Sequence, residues 1–454
     1  MHSWDRSARG ASVNASPGSG GQRKGYGAHI AIYNVGCAIY NKNEKKRRGP
    51  KRGLRTQVKA ESPKMSKPHS RTPKARRSSR VLSFMKLCAI TLVAIYICVP
   101  FIIRLFPALL GKVVYLNMVK IPLFVDLKNP GEVVNHTVNF YLTSEEGVTL
   151  GIWHTLPASR GEEAKDKDQR WYERSLADDN PVIIYLHGNG GTRAVDHRVQ
   201  LLKVLSRAGF HVLSLDYRGF ADSTGQPSEE GVTDDSVFLY EWVKARSRGN
   251  PVCFWGHSLG TGIATNAARK LQEKGNPADA VILEAPYTNI RDAGAFHPFG
   301  KIYHIFPGFE YFFLDTMALD NIVFPSDENM KMLSSPILIL HAEDDHVVPS
   351  SMGKELHEIA VNSRHPRHVK LVLYPPEFGY KHSLFIKTPN WERHCVSPIC
   401  QEVKEEGLGN NVKAGSPSLE PLHLLDSGHQ QKVANPLENI LHQPHVTKED
   451  EGSI

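Results

Sequence analysis

Five residues carry the first chemical signal. Gly256-His257-Ser258-Leu259-Gly260 is a G-x-S-x-G run, preceded by apolar Val252-Cys253-Phe254-Trp255 and followed by helical spacing over 260–274. A serine between a strand and a helix in this way stands on a tight elbow, exposed as a nucleophile. The flanking glycines permit a bend that a Cβ would crowd. The first turn of the following helix aims N–H groups and a positive dipole end at the reacting centre. The chemistry this predicts is acyl transfer through the Ser258 hydroxyl.

That hydroxyl needs a base, and the base needs an orienting group. In this architecture the chain order is Ser, then an acid, then His. The apolar run 337–340 leads into His341-Ala342-Glu343-Asp344-Asp345-His346. Glu343, Asp344 and Asp345 are the candidates, and the local spacing favours Asp345. Ten histidines follow it. His346 and His357 precede the last predicted strand, 369–374, while His365 and His368 sit at its start. His382, in Phe378-Gly379-Tyr380-Lys381-His382-Ser383, is the first beyond it and is the expected base.

An oxyanion needs donors already in place. Leu259 N–H is one expected donor. Leu186-His187-Gly188-Asn189-Gly190-Gly191 supplies the other, with Asn189 N–H preferred and Gly190 as its competitor. This glycine run lacks both the GK[ST] ending and the G-x-G-x-x-G spacing, which argues against nucleotide binding. The six cysteines show no paired CxxC spacing. No metal site is expected, and the chemistry requires no cofactor.

The elements that must position these groups follow from periodicity. Two antiparallel strands are predicted at 138–142 and 148–156, then a polar loop that includes 161–170. Strands at 182–186, 211–215, 252–255, 281–283, 337–340 and 369–374 alternate with helices at 196–208, 237–246, 260–274 and 354–360. Strand–helix alternation predicts a mostly parallel sheet with helices on both faces. Active groups in such sheets gather at the carboxyl ends of the strands. Residues 285–335 interrupt the alternation. Eight aromatic residues fall between Phe296 and Phe313, as in a cap over a pocket.

The net charge of +8 hides a split. Residues 1–80 hold 20 Lys and Arg against 3 Asp and Glu, and the rest of the 454-residue chain holds 35 against 44. The body is mildly acidic, so a phosphate-neutralising domain face and a nucleic-acid partner are not expected. The basic 1–80 segment has no sustained apolar period and reads as a disordered cytosolic tail. After it, 81–110 reads as a transmembrane signal anchor. Its charge-free core, 87–103, spans about 26 Å of helix against a hydrocarbon core of about 30 Å. A buried or interfacial helix is the alternative. The basic flank predicts a cytosolic N-terminus and a lumenal or exterior body. Asn135-His136-Thr137 on the far side is an N-glycosylation acceptor.

With GHSLG, HAEDDHVVP and GYKH in view, the chain resembles the α/β-hydrolase superfamily. Within it, the chain is similar to the α/β-hydrolase domain-containing 12 family, nearest to its B type. The resemblance rests on Val125-Asp126-Leu127-Lys128, Tyr185-Leu186-His187-Gly188-Asn189, Leu215-Asp216-Tyr217-Arg218-Gly219-Phe220, Trp255-Gly256-His257-Ser258-Leu259-Gly260-Thr261-Gly262, Ala285-Pro286-Tyr287-Thr288-Asn289 and Asp327-Glu328-Asn329. It implies an α/β-hydrolase fold over 111–389 and a serine hydrolase anchored in the endoplasmic reticulum membrane. It also implies single-chain lipid substrates, monoacylglycerols and lysophospholipids, notably lysophosphatidylserine. The family's nucleophile, acid and base fall on Ser258, Asp345 and His382, and its glycosylation site on Asn135. The family closes with an amphipathic helix after Pro389, where 390–454 is here polar and irregular. A protein depalmitoylase and a catalytically inactive scaffold are the alternative readings.

Overall fold

The computed structural model describes residues 74–363 and 368–383, apart from the side chains of 74–79 and Phe299. The tail expectations for 1–73 and 390–454, including the closing helix, lie outside the described residues.

A long helix, α1 (Lys74–Leu105), opens the described chain. Its limits differ from those of the expected anchor segment, 81–110, at both ends. It starts before Val81, because Lys and Arg are good helix formers and extend the apolar helix by about two turns. It stops at Leu105, because Pro107 disfavours helix at the residue before it. A second helix, α2 (Ala108–Tyr115), follows, with Leu110 and Tyr115 buried. The segment Arg80–Leu105 is long and apolar enough to cross a membrane, with mean hydropathy 2.4 in its most apolar window. Only 6% of that window is buried, which separates it from the core helix of a soluble domain.

Eight strands form one sheet: β1 (Thr137–Glu145), β2 (Val148–Thr155), β3 (Val182–Leu186), β4 (His211–Asp216), β5 (Val252–His257), β6 (Ala280–Glu284), β7 (Ile337–Ala342) and β8 (Val369–Tyr374). Their order is β1-β2-β4-β3-β5-β6-β7-β8. β1, β2 and β4 pair antiparallel, and from β4 through β3 to β8 every pair is parallel. The helices between them are α3 (Gln169–Ser175), α4 (Asp196–Arg207), α5 (Glu229–Lys244), α6 (Leu259–Glu273), α7 (Ile290–Phe296), α8 (Pro298–Tyr303), α9 (Asp315–Leu319), α10 (Ser326–Met332) and α11 (Ser350–Ser363). β3, β4, β5 and β7 are buried along their whole length, as strands covered on both faces must be. One hydrophobic core packs Ile184, Phe254 and Ile339 with Val243 and Ile263 of α5 and α6. A second packs Ile183, Trp255 and Leu340 with Val199 and Leu202 of α4, and a small third holds Leu156, Ala164 and Tyr172.

α5 begins eight residues earlier than its apolar spacing indicates. Ser228 caps it by accepting from Gly231 N–H, and Glu229 and Glu230 complement the helix dipole. α3 lies where a loop is expected, started by Asp168, whose side chain accepts from Trp171 N–H.

The turn between β5 and α6 depends on close approach. A Cβ on Gly256 would lie 2.3 Å from the Gly260 carbonyl oxygen, and one on Gly260 would lie 2.0 Å from the Leu186 carbonyl oxygen. Both obstacles are backbone and cannot rotate away. Gly260→Ala is expected to cost about 3 kcal/mol or more and to lower the melting temperature or abolish folding. Gly131→Ala, which meets nothing within 4 Å, is expected to melt with the wild type in the same thermal-shift measurement.

Candidate active site

Ser258 sits between β5 and α6 at φ 52° and ψ −118°, a left-handed conformation that side-chain-bearing residues rarely adopt. Its neighbours hold it there. Ser258 N–H donates to the Glu284 carbonyl at the end of β6 (3.0 Å), and Thr261 N–H donates to the Ser258 carbonyl (2.9 Å). The Ser258 hydroxyl donates to His382 Nε2 at 2.8 Å. His382 Nδ1–H donates to Asp345 Oδ2 at 2.7 Å. Three groups from distant parts of the chain thus form one hydrogen-bonded relay at the carboxyl ends of β5, β7 and β8.

The three acids after β7 have three different places. Glu343 pairs with Lys354 at 3.1 Å. Asp344 accepts the Lys381 N–H at 2.9 Å and so pins the loop that carries His382. Asp345 faces His382, and its other oxygen accepts from Val347 N–H (2.8 Å) and Val348 N–H (3.0 Å). Burial pushes the Asp345 carboxyl up. Hydrogen bonds from His341, His382 and the Val347 amide outweigh that and hold it well below the ordinary carboxylate range. It is therefore charged where the imidazole needs a counter-charge.

Leu259 and Asn189 line the same cavity as Ser258 and His382. Gly190 N–H is already committed to the Tyr115 carbonyl at 2.9 Å, and Gly191 N–H to the Val119 carbonyl at 2.7 Å. The Gly190 N–H is thus engaged away from the nucleophile, while Asn189 lines the cavity beside it. Gly190 and Gly191 both have positive φ, 61° and 67°, so the loop needs glycine there.

Several positioning groups escaped the sequence reading. Arg198 on α4 is buried and spans the back of the glycine loop. Its Nη1 donates to Thr192 O (2.9 Å), and its Nη2 to Gly188 O (3.2 Å) and Gly190 O (2.8 Å). It thereby ties the carbonyls of this loop to α4. His257 Nε2–H donates to the His382 carbonyl at 2.9 Å, fixing the base's backbone. His341 Nε2–H donates to the Val348 carbonyl at 3.0 Å and braces the Asp345 loop. The signal for Arg198 was present: it falls on the buried α4 stripe with Leu201, Leu202 and Leu205, where a charge must have partners.

The cavity above Ser258 measures about 600 Å³, within the range of small-molecule sites. Its walls are mostly apolar. They include Val99 and Ile103 of α1, Val113 and Val114 of α2, and Tyr303, Phe309 and Phe313 from the insert between β6 and β7. Among the described residues no group of three or more His, Cys, Asp or Glu could hold a metal ion. His211 and Asp216 lie on β4, bonded to His154 and Arg193, away from this cavity.

A strained serine, an imidazole and a buried carboxylate on this sheet define a serine ester hydrolase of α/β-hydrolase fold. A family model described as alpha/beta hydrolase fold matches residues 181–320. The human protein ABHD12B is 56% identical over 287 residues, which cover 63% of this chain and 79% of that protein. The lysophosphatidylserine lipase ABHD12 of Danio rerio is 51% identical over 303 residues, 66% of this chain and 79% of the relative. That of Rattus norvegicus is 52% identical over 301 residues, 66% and 76%. The chain belongs to the α/β-hydrolase family in the branch that contains ABHD12 and ABHD12B.

Two outcomes are expected from this geometry. Arg198→Met should lower kcat roughly tenfold or more with little change in KM, a fraction of the effect of losing a direct oxyanion donor. It should weaken a trifluoromethyl ketone inhibitor in parallel, with Arg198→Lys intermediate, which a purely structural defect would not reproduce. Burial also pushes the Glu284 carboxyl up to about 7, against its hydrogen bond from Trp255. A raised folded-state value stabilises at low pH and is lost as pH climbs from about 4.5 to about 7. Glu284→Gln should therefore gain stability relative to wild type at pH 8, with a smaller gain at pH 5, by thermal melts.

Proposed function

We propose that this protein hydrolyses the acyl ester of single-chain lipids, lysophospholipids such as lysophosphatidylserine and monoacylglycerols. The carrying observation is a hydrogen-bonded Ser258–His382–Asp345 relay opening onto an apolar cavity walled partly by α1. Ser258 Oγ attacks the acyl carbonyl carbon while its proton passes to His382 Nε2. Asp345 holds the imidazole and balances the imidazolium. Leu259 and Asn189 N–H groups receive the oxyanion. The glycerol oxygen leaves with the proton from His382, and water, activated by the same imidazole, releases the fatty acid. The names of the relatives at about half identity support the lysophosphatidylserine substrate.

The same reading takes α1 as a membrane anchor, 111–389 as the catalytic domain and 285–335 as its cap. Arg76, Arg77 and Arg80 at the start of α1 favour a cytosolic N-terminus. The catalytic domain then faces the lumen of the endoplasmic reticulum. Asn135, exposed in the turn before β1, is on that side and open to glycosylation.

The reading is tested with purified full-length protein. Lysophosphatidylserine and monoacylglycerol hydrolysis, and labelling by a fluorophosphonate, should both be lost in Ser258→Ala. Labelling without turnover of either lipid, but with turnover of a palmitoyl-protein thioester, would transfer the assignment to a depalmitoylase. Folded wild type that neither labels nor turns over would make it a scaffold.

A further inference from the structure

We propose that the tip of the cap, residues 302–306, sits inside the bilayer leaflet on the catalytic side, so that lipid reaches Ser258 sideways from the membrane. This rests on the reading of α1 as an anchor. The helix is longer than the membrane requires: Arg80–Leu105 has 26 residues, about 39 Å against a hydrocarbon core of about 30 Å. Its last third is not free. Tyr96 stacks on Tyr303, with ring centroids 4.7 Å apart and planes 4° apart, and its hydroxyl donates to the Ile302 carbonyl at 3.3 Å. Phe101 meets Phe312 edge-on at 4.8 Å, and Arg104 lies 4.2 Å over the Tyr311 ring.

These contacts fix depth. Tyr96 lies about 12 Å along the helix from Arg104. If the membrane surface on the catalytic side is at Leu105, the cap tip is about that far below it. If the span is instead counted from Arg80, about 20 residues bring the surface to Val99, and Tyr96 is still inside. Either placement submerges the residues that Tyr96 touches.

The tip has the chemistry for it. Ile305 is 87% exposed and Ile302 57% exposed, and both would face water at a cost of roughly 1.5–3 kcal/mol each relative to burial. His304 Nε2–H donates to the Ala295 carbonyl at 2.8 Å. Lys301, the nearest charge in the chain, has a stem long enough to carry its ammonium toward the headgroups. The cavity is walled at this level by Val99 and Ile103 on one side and Tyr303 on the other. A lipid tail can thus pass from bilayer to cavity without crossing water.

The experiment uses full-length protein reconstituted in phosphatidylcholine vesicles. Fluorescence of Ile305→Trp, after subtraction of the wild-type signal, should shift to the blue and be quenched roughly twofold by lipids brominated on the acyl chain. Asn276→Trp, exposed in the loop that enters the amino end of β6, should show neither change. Ile305→Glu should cut hydrolysis of vesicle-borne lysophospholipid at least fivefold while leaving a water-soluble short-chain ester unaffected. An unquenched Ile305→Trp in protein that resists alkaline carbonate extraction overturns the submerged tip and leaves the anchor standing. Release by carbonate overturns both. If wild type hydrolyses neither ester, the proposed activity fails, and the quenching result still decides the position of the tip.

Discussion

The approach of Gly260 to the Leu186 carbonyl is the constraint on which the site depends. It brings the first turn of α6 against the ends of β3 and β5, closer than any side chain allows. That contact forces Ser258 into its left-handed conformation and points its hydroxyl away from the sheet. It also sets Leu259 beside the glycine loop after β3, so that Leu259 and Asn189 line one cavity with Ser258. The strain at one serine is sustained by a buried parallel sheet on either side, a cost that a packed core can carry.

Charge is arranged around this point with the same economy. Burial lowers the proton affinity of His187, His197 and His257, with His197 brought to about 3, so these rings are neutral at physiological pH. Asp345 is anionic against His382. The His382 ring lies 5.2 Å from that of the neutral His257 and bonds the Asp345 carboxylate, so that taking the serine proton adds charge where the counter-charge already sits. The buried carboxyl of Glu284 lies behind the serine, bonded to Trp255 rather than to the relay.

The chain order of Ser258, Asp345 and His382 could be read before any coordinates, because the turn chemistry around each is local and the alternation of apolar runs is strong. Strand limits followed the same periodicity, and β8 matches its apolar run residue for residue. The first two turns of α5 were hidden because they are polar and contain Gly231, yet bury Val232, Asp235 and Ser236. Asp235 gains its place from Arg218 on another loop, a tertiary pairing invisible to periodicity. Arg198, His257 and His341 were missed for a related reason. Their partners are backbone carbonyls, which have no identity in a sequence; those of Arg198 and His341 lie within ten residues, and that of His257 is His382. The break between α1 and α2 needed only Pro107, whose effect on the residue before it is local.

The stretch from Tyr115 to Ile121 joins the apolar stem to the hydrolytic body, and it is more than a tether. The Tyr115, Val119 and Ile121 carbonyls receive the N–H groups of Gly190, Gly191 and Thr192 in turn. The glycine loop after β3 is therefore laced to the chain that follows α2. A version of this enzyme trimmed for solubility at Leu116 would lose more than an apolar helix. It would also lose a partner of the loop and one wall of the chamber, and would be a different catalyst from the one that grows out of the stem.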